Sequence, residues 1–229
     1  MSNYDPGVSE LARKREEFCR HAKAWSERFG LSLSEALCRQ LGEHYELLLR
    51  WNERINLTRL VEPEEAARFH YVESLYAGGF LHPSVRRIAD VGSGGGFPGI
   101  PVAVARPDLE VLLIEKDQKR AVFLSEVARQ LGLENVDVVH GRFEAYEHRD
   151  FDALFCRALE RMAEQLPRLL AFAEGCQQVI LLGGDDLERA VRCHVGRRWS
   201  WRSLPIPYAR KRRLLLLERP APEGVPRGT

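Results

Sequence analysis

The spacing of apolar positions along the chain changes character near residue 86. Before that point apolar residues recur every three or four positions. Leu11, Phe18 and Trp25 punctuate a charged segment from Val8 to about Phe29, and Leu37, Leu41, Tyr45 and Leu48 continue the rhythm to about Trp51. This spacing predicts two amphipathic helices. Ser32 followed three residues later by Glu35 predicts a capping box at the start of the second. The run Asn52-Glu53-Arg54-Ile55-Asn56-Leu57-Thr58-Arg59 breaks the pattern. Pro63, a residue favoured in the first turn, predicts a third helix with Phe69, Val72 and Leu75 on one face. His70, Tyr71, Glu73 and Ser74 occupy the rest of that helix, and a lone histidine in such a place reads as structural.

From Arg86 onward short apolar runs alternate with helical patterns. Strands are expected at about 86–91, 109–115, 135–140, 151–156 and 179–182. Helices are expected after the first strand (Ile100 to Ala105), through Leu131 with Gly132 as its left-handed stop, at about 159–172, and at 186–194. Two more strands, at about 199–206 and 212–218, flank Pro205-Ile206-Pro207-Tyr208 and read as a hairpin that adds an antiparallel strand. Alternation of this kind predicts an α/β fold with a seven-stranded, mostly parallel, doubly wound sheet. Residues 1–80 are expected to form a helical cap on a core at 81–219. The Pro- and Gly-rich segment 220–229 is expected to be a disordered tail. There are no internal repeats.

The chemistry concentrates where the first strand ends. Ile88-Ala89-Asp90-Val91 runs directly into Gly92-Ser93-Gly94-Gly95-Gly96-Phe97-Pro98-Gly99. Glycines without Cβ atoms let the chain turn tightly and let a ligand lie against backbone N–H groups. Asp90 stands at the carboxyl end of the strand, the edge at which open α/β sheets bind ligands. About 20 residues on, Val111-Leu112-Leu113-Ile114-Glu115 ends in a carboxylate placed to accept hydrogen bonds from two ribose hydroxyls. Loop and acid together indicate an adenosine-containing cofactor. A dinucleotide fingerprint would place its third glycine where this chain has Phe97, which would obstruct the helix N-terminus on which a pyrophosphate rests. S-adenosylmethionine (SAM) carries no phosphate and tolerates Phe97 as an apolar wall. The residues therefore favour a methyltransferase over a nicotinamide or flavin enzyme, without closing the latter.

Composition narrows the class. The 229 residues are 45% hydrophobic and 29% charged, as in ordinary globular proteins. No apolar run approaches the ~20 residues of a membrane helix, and the first residues lack the apolar segment of a signal peptide. A cytoplasmic protein with no membrane partner is expected. The five cysteines are scattered without a Cys-x-x-Cys pair, so reduced thiols, no metal site and no disulfide framework are expected. The net charge of +1 hides an asymmetry, because residues 192–213 carry eight Lys or Arg and no acid. Read alone, that run is as consistent with a solvated face as with a nucleic-acid contact.

The motifs Asp90–Pro101, Lys119-Arg120-x-x-Phe123-Leu124, Arg142-x-Glu144 and Cys156-Arg157-Ala158 resemble the RsmG (GidB) family. So do Trp51-Asn52-x-x-Ile55-Asn56-Leu57-Thr58 and His70-x-x-Glu73-Ser74-Leu75 upstream. The resemblance runs from about Leu41 to Leu217. It implies a Rossmann-like class I SAM-dependent methyltransferase fold and transfer of a methyl group to N7 of a specific guanine of bacterial 16S rRNA (guanine 527 in the family's nomenclature). It implies SAM as cofactor, the rRNA or the small ribosomal subunit as partner, and a monomer. Carried over by position, it puts Asp90, Gly92, Gly94 and Phe97 against SAM, Glu115 on the ribose, Phe143 and Glu144 beside the adenine, and Arg157 at the pocket mouth as the catalytic candidate. Arg210, Lys211, Arg212 and Arg213 are the expected RNA contacts. This chain departs from the family in having Cys156 for a usual Ser, Gly183-Gly184 for a Lys-Gly, and Arg212-Arg213 for an Arg-His. The rival readings are a SAM-fold module that binds RNA without chemistry, a nicotinamide-dependent oxidoreductase, and a small-molecule methyltransferase.

Overall fold

A computed structural model describes residues 6–157, 161–196 and 198–219, with side chains from residue 10. The expected tail at 220–229 and the start of the helix expected at 159 lie outside the described residues. Helices α1 (Pro6–Arg28) and α2 (Glu35–Asn52) open the chain. The cap of α2 is Ser34 rather than Ser32: its Oγ accepts the Leu37 N–H at 3.2 Å. The third helix begins at Pro63 as expected but is not uniform. A short α3 (Pro63–Ala66) passes into a π-helical turn (Ala67–Val72) and then α4 (Glu73–Gly78). Such a turn displaces backbone carbonyls from the regular ladder and is common at functional sites.

The core then alternates β1 (Arg87–Val91), α5 (Gly99–Ala105), β2 (Glu110–Glu115), α6 (Gln118–Leu131) and β3 (Val136–His140). It continues with β4 (Ala153–Arg157), α7 (Met162–Phe172), β5 (Gln178–Gly183), α8 (Asp185–His194), β6 (Ser200–Pro205) and β7 (Arg213–Glu218). Gly132 stops α6 at φ 63°, and the Leu133 N–H returns to the Ala128 carbonyl at 2.9 Å, as a Schellman stop requires. The strand order is β3-β2-β1-β4-β5-β7-β6, with the first five strands parallel. The final hairpin folds back so that β7, not β6, pairs antiparallel with β5, and β6 takes the edge.

Both faces of the inner strands are buried, so β1, β2, β4, β5 and β7 read as near-continuous apolar runs. Ile88, Leu113, Phe155 and Ile180 face a cluster that also takes in Phe18, Leu41 and Tyr45 of α1 and α2 and Phe123 of α6. Ala89, Ile114, Leu154 and Val179 face a second cluster with Leu166 and Leu169 of α7 and Val191 of α8. The N-terminal helices thus share one apolar cluster with the sheet. The break in strand order falls between β2-β1 and β4-β5, the place where doubly wound sheets open a ligand crevice.

Candidate functional site

The loop after β1 is shaped by glycines where the backbone demands them. Gly92, Gly94 and Gly96 have φ of 73°, 57° and 90°, in the region side chains disfavour. Gly99 opens α5 for a different reason. A Cβ there would lie 2.3 Å from Leu113 Cδ2 and 2.7 Å from Asp90 Oδ2. This close approach lets the Gly99 N–H donate to Asp90 Oδ2 at 2.9 Å. Asp90 is fully buried, and burial raises its pKa to about 7 against the opposing hydrogen bond from Gly99. Among the described residues its Oδ1 has no hydrogen-bond partner. From the cap, His44 Nε2 donates to the Gly95 carbonyl at 3.1 Å, and burial drives the imidazole pKa down to about 3, so it serves as a neutral strut.

Beside this loop a narrow cleft of about 40 Å³ opens at the carboxyl ends of β1 and β2. Gly92, Ile114, Gly141, Phe143, Glu144 and Gln165 line it. Glu115 lies between two lining residues, but its carboxylate turns toward the loop. Oε2 accepts the Gly94 N–H at 2.9 Å and Oε1 the Asp117 N–H at 2.8 Å. A carboxylate accepts about four hydrogen bonds, so acceptor capacity remains. A broader hollow of about 640 Å³ between α1 and α2 lies on the outer side of the cap, lined by Arg15, Cys19 and Arg39 among others and by none of the residues of the strand ends.

Phe97 does not line the cleft. Its ring stacks on His70 (centroids 4.5 Å, 15° between planes) and meets His44 and Tyr71, so it fastens the loop to the cap. Arg157, at the end of β4, also turns to the cap. Its guanidinium donates to the Phe69 carbonyl, to the His70 carbonyl at 3.5 Å and to His70 Nδ1 at 3.2 Å. Those carbonyls belong to the π-helical turn, which explains how the turn's displaced acceptors are satisfied. Because Nδ1 accepts from Arg157, His70 carries its proton on Nε2 and donates it to Thr58 Oγ1 at 2.7 Å. Burial, reinforced by Arg157 and Arg212, keeps His70 neutral by lowering its pKa well below the ordinary value.

Glu73 completes this cluster. It is 1% exposed, with Oε2 at 2.8 Å from Arg212 Nη2 and 3.9 Å from Arg157 Nη2. Neither contact has hydrogen-bond alignment, and among the described residues neither carboxylate oxygen has a hydrogen-bond partner. Burial raises the Glu73 pKa, and the two arginines hold the rise back. Burial lowers the Arg157 pKa to about 10, with Arg212 adding repulsion.

The four basic residues grouped by the sequence therefore divide. Arg210 and Lys211 are exposed. Arg212 is the partner of Glu73, and Arg213 pairs with Glu188 of α8 while donating to Ser203 Oγ at 2.6 Å. Because β7 runs antiparallel to β5, with Arg213 opposite Gly183, the run begins at the same carboxyl edge as the glycine loop. The hairpin turn is held by α1: Tyr208 packs on Trp25 and Phe29, and Arg68 donates to the Tyr208 carbonyl while its guanidinium covers Trp25. Gly183 and Gly184 fit crowding at this corner, since a Cβ on Gly183 would lie 2.5 Å from Leu187 Cδ2. Of the sequence-derived cofactor residues, Asp90, Gly92, Gly94, Glu115, Phe143 and Glu144 gather around loop and cleft, while Phe97 and Arg157 face the cap. Sequence reasoning missed His44, and Thr58 and Glu73 as partners of His70 and Arg212. Thr58 and Glu73 stood in the two upstream motifs, whereas His44, on α2, belonged to none of them.

A family model described as GidB, rRNA small subunit methyltransferase G, matches residues 37–200. The chain belongs to this family. Members bearing the name ribosomal RNA small subunit methyltransferase G include one from Sorangium cellulosum, 40% identical over 165 residues, covering 69% of this chain and 69% of its own. Another, from Chromobacterium violaceum, is 40% identical over 156 residues, covering 67% of this chain and 74% of its own. Among solved structures, an O-methyltransferase from Bacillus cereus in complex with SAH superposes with a TM-score of 0.54 at 17% identity, over 77% of this chain and 91% of that one. An rRNA methylase from Streptococcus thermophilus superposes at 0.50 and 16% identity, over 64% and 93%. These likenesses establish the Rossmann-like methyltransferase fold. The seven-stranded sheet described above is thus the frame of a member of this family.

Proposed function

We propose that this methyltransferase uses SAM to methylate N7 of a specific guanine, guanine 527 in the family's nomenclature, in 16S rRNA. The observation that carries the reading is the cleft between Gly92 and Phe143 at the carboxyl edge, flanked by Glu115. The residues fit the cofactor: the positive-φ glycines expose backbone, and Glu115 retains lone pairs for ribose hydroxyls. When bound, the cofactor supplies a methyl group already activated on a sulfonium.

The protein's task is then positioning. Gly92 and Gly94 present the loop backbone, Asp90 fixes the loop to α5 through Gly99, and Phe143 with Glu144 walls the adenine. Guanine N7 offers a free lone pair, so no side chain needs to remove a proton. Alignment of donor and acceptor can supply about 7–11 kcal/mol of acceleration. Arg157 acts as a positioning residue that locks the π-helical turn against β4, and Arg210 and Lys211 hold the RNA backbone without reading its sequence.

Two measurements test this. Isothermal titration should detect S-adenosylhomocysteine and no response to NAD; the opposite result ends the methyltransferase reading. Incubation with labelled SAM and small subunits from cells lacking the modification should place label on N7 of one guanine. Label elsewhere, or SAM binding with no transfer, overturns the substrate assignment.

A further inference from the structure

Outside the strand-end site, the outer hollow of the cap brings together two cysteines that the reaction does not use. Cys19 lies on α1 and Cys38 on α2. Each thiol donates to the other residue's carbonyl, Cys19 Sγ to Cys38 O at 3.3 Å and Cys38 Sγ to Cys19 O at 3.4 Å. The helices approach this closely because Gly42, one turn beyond Cys38, has no side chain. A Cβ there would lie 3.0 Å from both Cys19 Sγ and Arg15 Cγ. Both sulfur residues line the hollow, Cys19 half-buried and Cys38 nearly covered. Cys156 and Cys176 are buried free thiols, and Cys193 is an exposed one.

We propose that Cys19 and Cys38 form an oxidisable dithiol, a modification site at which hydrogen peroxide converts the pair to a disulfide that staples α1 to α2. The step begins with the Cys19 thiolate attacking one peroxide oxygen. The O–O bond breaks, Cys19 becomes a sulfenic acid, and water leaves with the thiol's proton. The Cys38 sulfur then attacks Cys19 Sγ, the S–O bond breaks, and a second water leaves as the S–S bond forms. Two thiols lose two electrons in total, and the peroxide gains them.

The roles follow from the surroundings. Cys19 is the more exposed sulfur; the hydrogen bond from Cys38, with Arg15 and Lys23 nearby, lowers its pKa below the ordinary thiol value despite burial. Glu35, the facing carboxylate, opposes this and is itself paired with Lys23. Cys38, whose pKa the Cys19 contact and burial raise, is the resolving partner. Thiolate character and access select the site of oxidation. The staple also has a structural reach, because the C-terminal end of α1 carries Trp25 and Phe29, which hold the hairpin turn at Tyr208.

The test uses the full chain, reduced, desalted and treated with hydrogen peroxide. Remaining thiols are alkylated and the protein is digested with trypsin without reductant. The expected product is peptide 16–20 joined to peptide 29–39, restored to free thiols by dithiothreitol, and forming faster than any pair containing Cys193. Cys19→Ser and Cys38→Ser should each abolish it. Cys38→Ser should leave Cys19 as a trappable sulfenic acid, whereas Cys19→Ser should leave Cys38 unoxidised over the same time. Free Cys19 and Cys38 after Cys193 has been oxidised, or random pairing like that of the urea-unfolded chain, would overturn the proposal.

Discussion

Replacing Arg212 with alanine separates an internal structural cation from a surface one, and the magnitude follows from the cluster around Glu73. The Glu73 carboxylate is 1% exposed, and its nearest cation is Arg212 at 2.8 Å; Arg157 stands farther off at 3.9 Å. Removing one partner of a buried pair costs about 3–5 kcal/mol. Arg212 is 30% exposed and Arg157 remains, so the expected loss is nearer 2–3 kcal/mol at pH 8. At roughly 2–4 °C per kcal/mol for a chain of this size, Tm should fall by about 5–10 °C. The loss should also depend on pH. Burial already holds the folded-state pKa of Glu73 above its ordinary 4.5, and losing Arg212 raises it further. An acid with a raised folded pKa withdraws stability as pH climbs from its unfolded value through its folded one. The deficit should therefore be small near pH 5 and grow toward pH 8. Adding Glu73→Gln to Arg212→Ala should recover most of it. Calorimetric scans at several pH values check this. An unchanged Tm, or a deficit identical at pH 5 and pH 8, would refute the reasoning.

The exposed neighbours should behave in the opposite manner. Arg210→Ala with Lys211→Ala should leave stability within about 0.5 kcal/mol of the parent while weakening rRNA binding and flattening its salt dependence by about one unit of slope per lost phosphate contact; equal affinity at low salt would count against an RNA role. Gly99→Ala inserts a methyl against Leu113 and Asp90 and should cost about 1–3 kcal/mol by overpacking, with weaker S-adenosylhomocysteine binding by titration. Phe143→Ala should reduce cofactor affinity at least tenfold with a smaller effect on rRNA affinity, and a parallel fall in both would place the ring elsewhere than beside the adenine.

The sequence by itself determined the architecture, because local signals there agreed with one another. Alternation of apolar runs with helical periodicity specified the parallel strands, Pro63 and Gly132 marked a helix start and stop, and the glycines after Asp90 marked the site's loop. Capping was less legible: Ser32 and Ser34 offer the same hydroxyl, and only the path of the chain between α1 and α2 selects Ser34. The strand order of the last hairpin was likewise undetermined, since β6 and β7 both carry strand patterns and pairing with β5 is a choice between partners far apart in sequence. The tertiary structure alone decided the roles of charged and aromatic side chains. Nothing in the sequence places the Phe97 ring on His70 or the Arg157 guanidinium on the carbonyls of the π-helical turn. Arg212 reads as one of four equal cations until Glu73 is found buried beside it. The physical reason is common to all three. Backbone periodicity is a local property that apolar spacing records, whereas the partner of a polar group is whatever distant residue folding brings within about 3 Å.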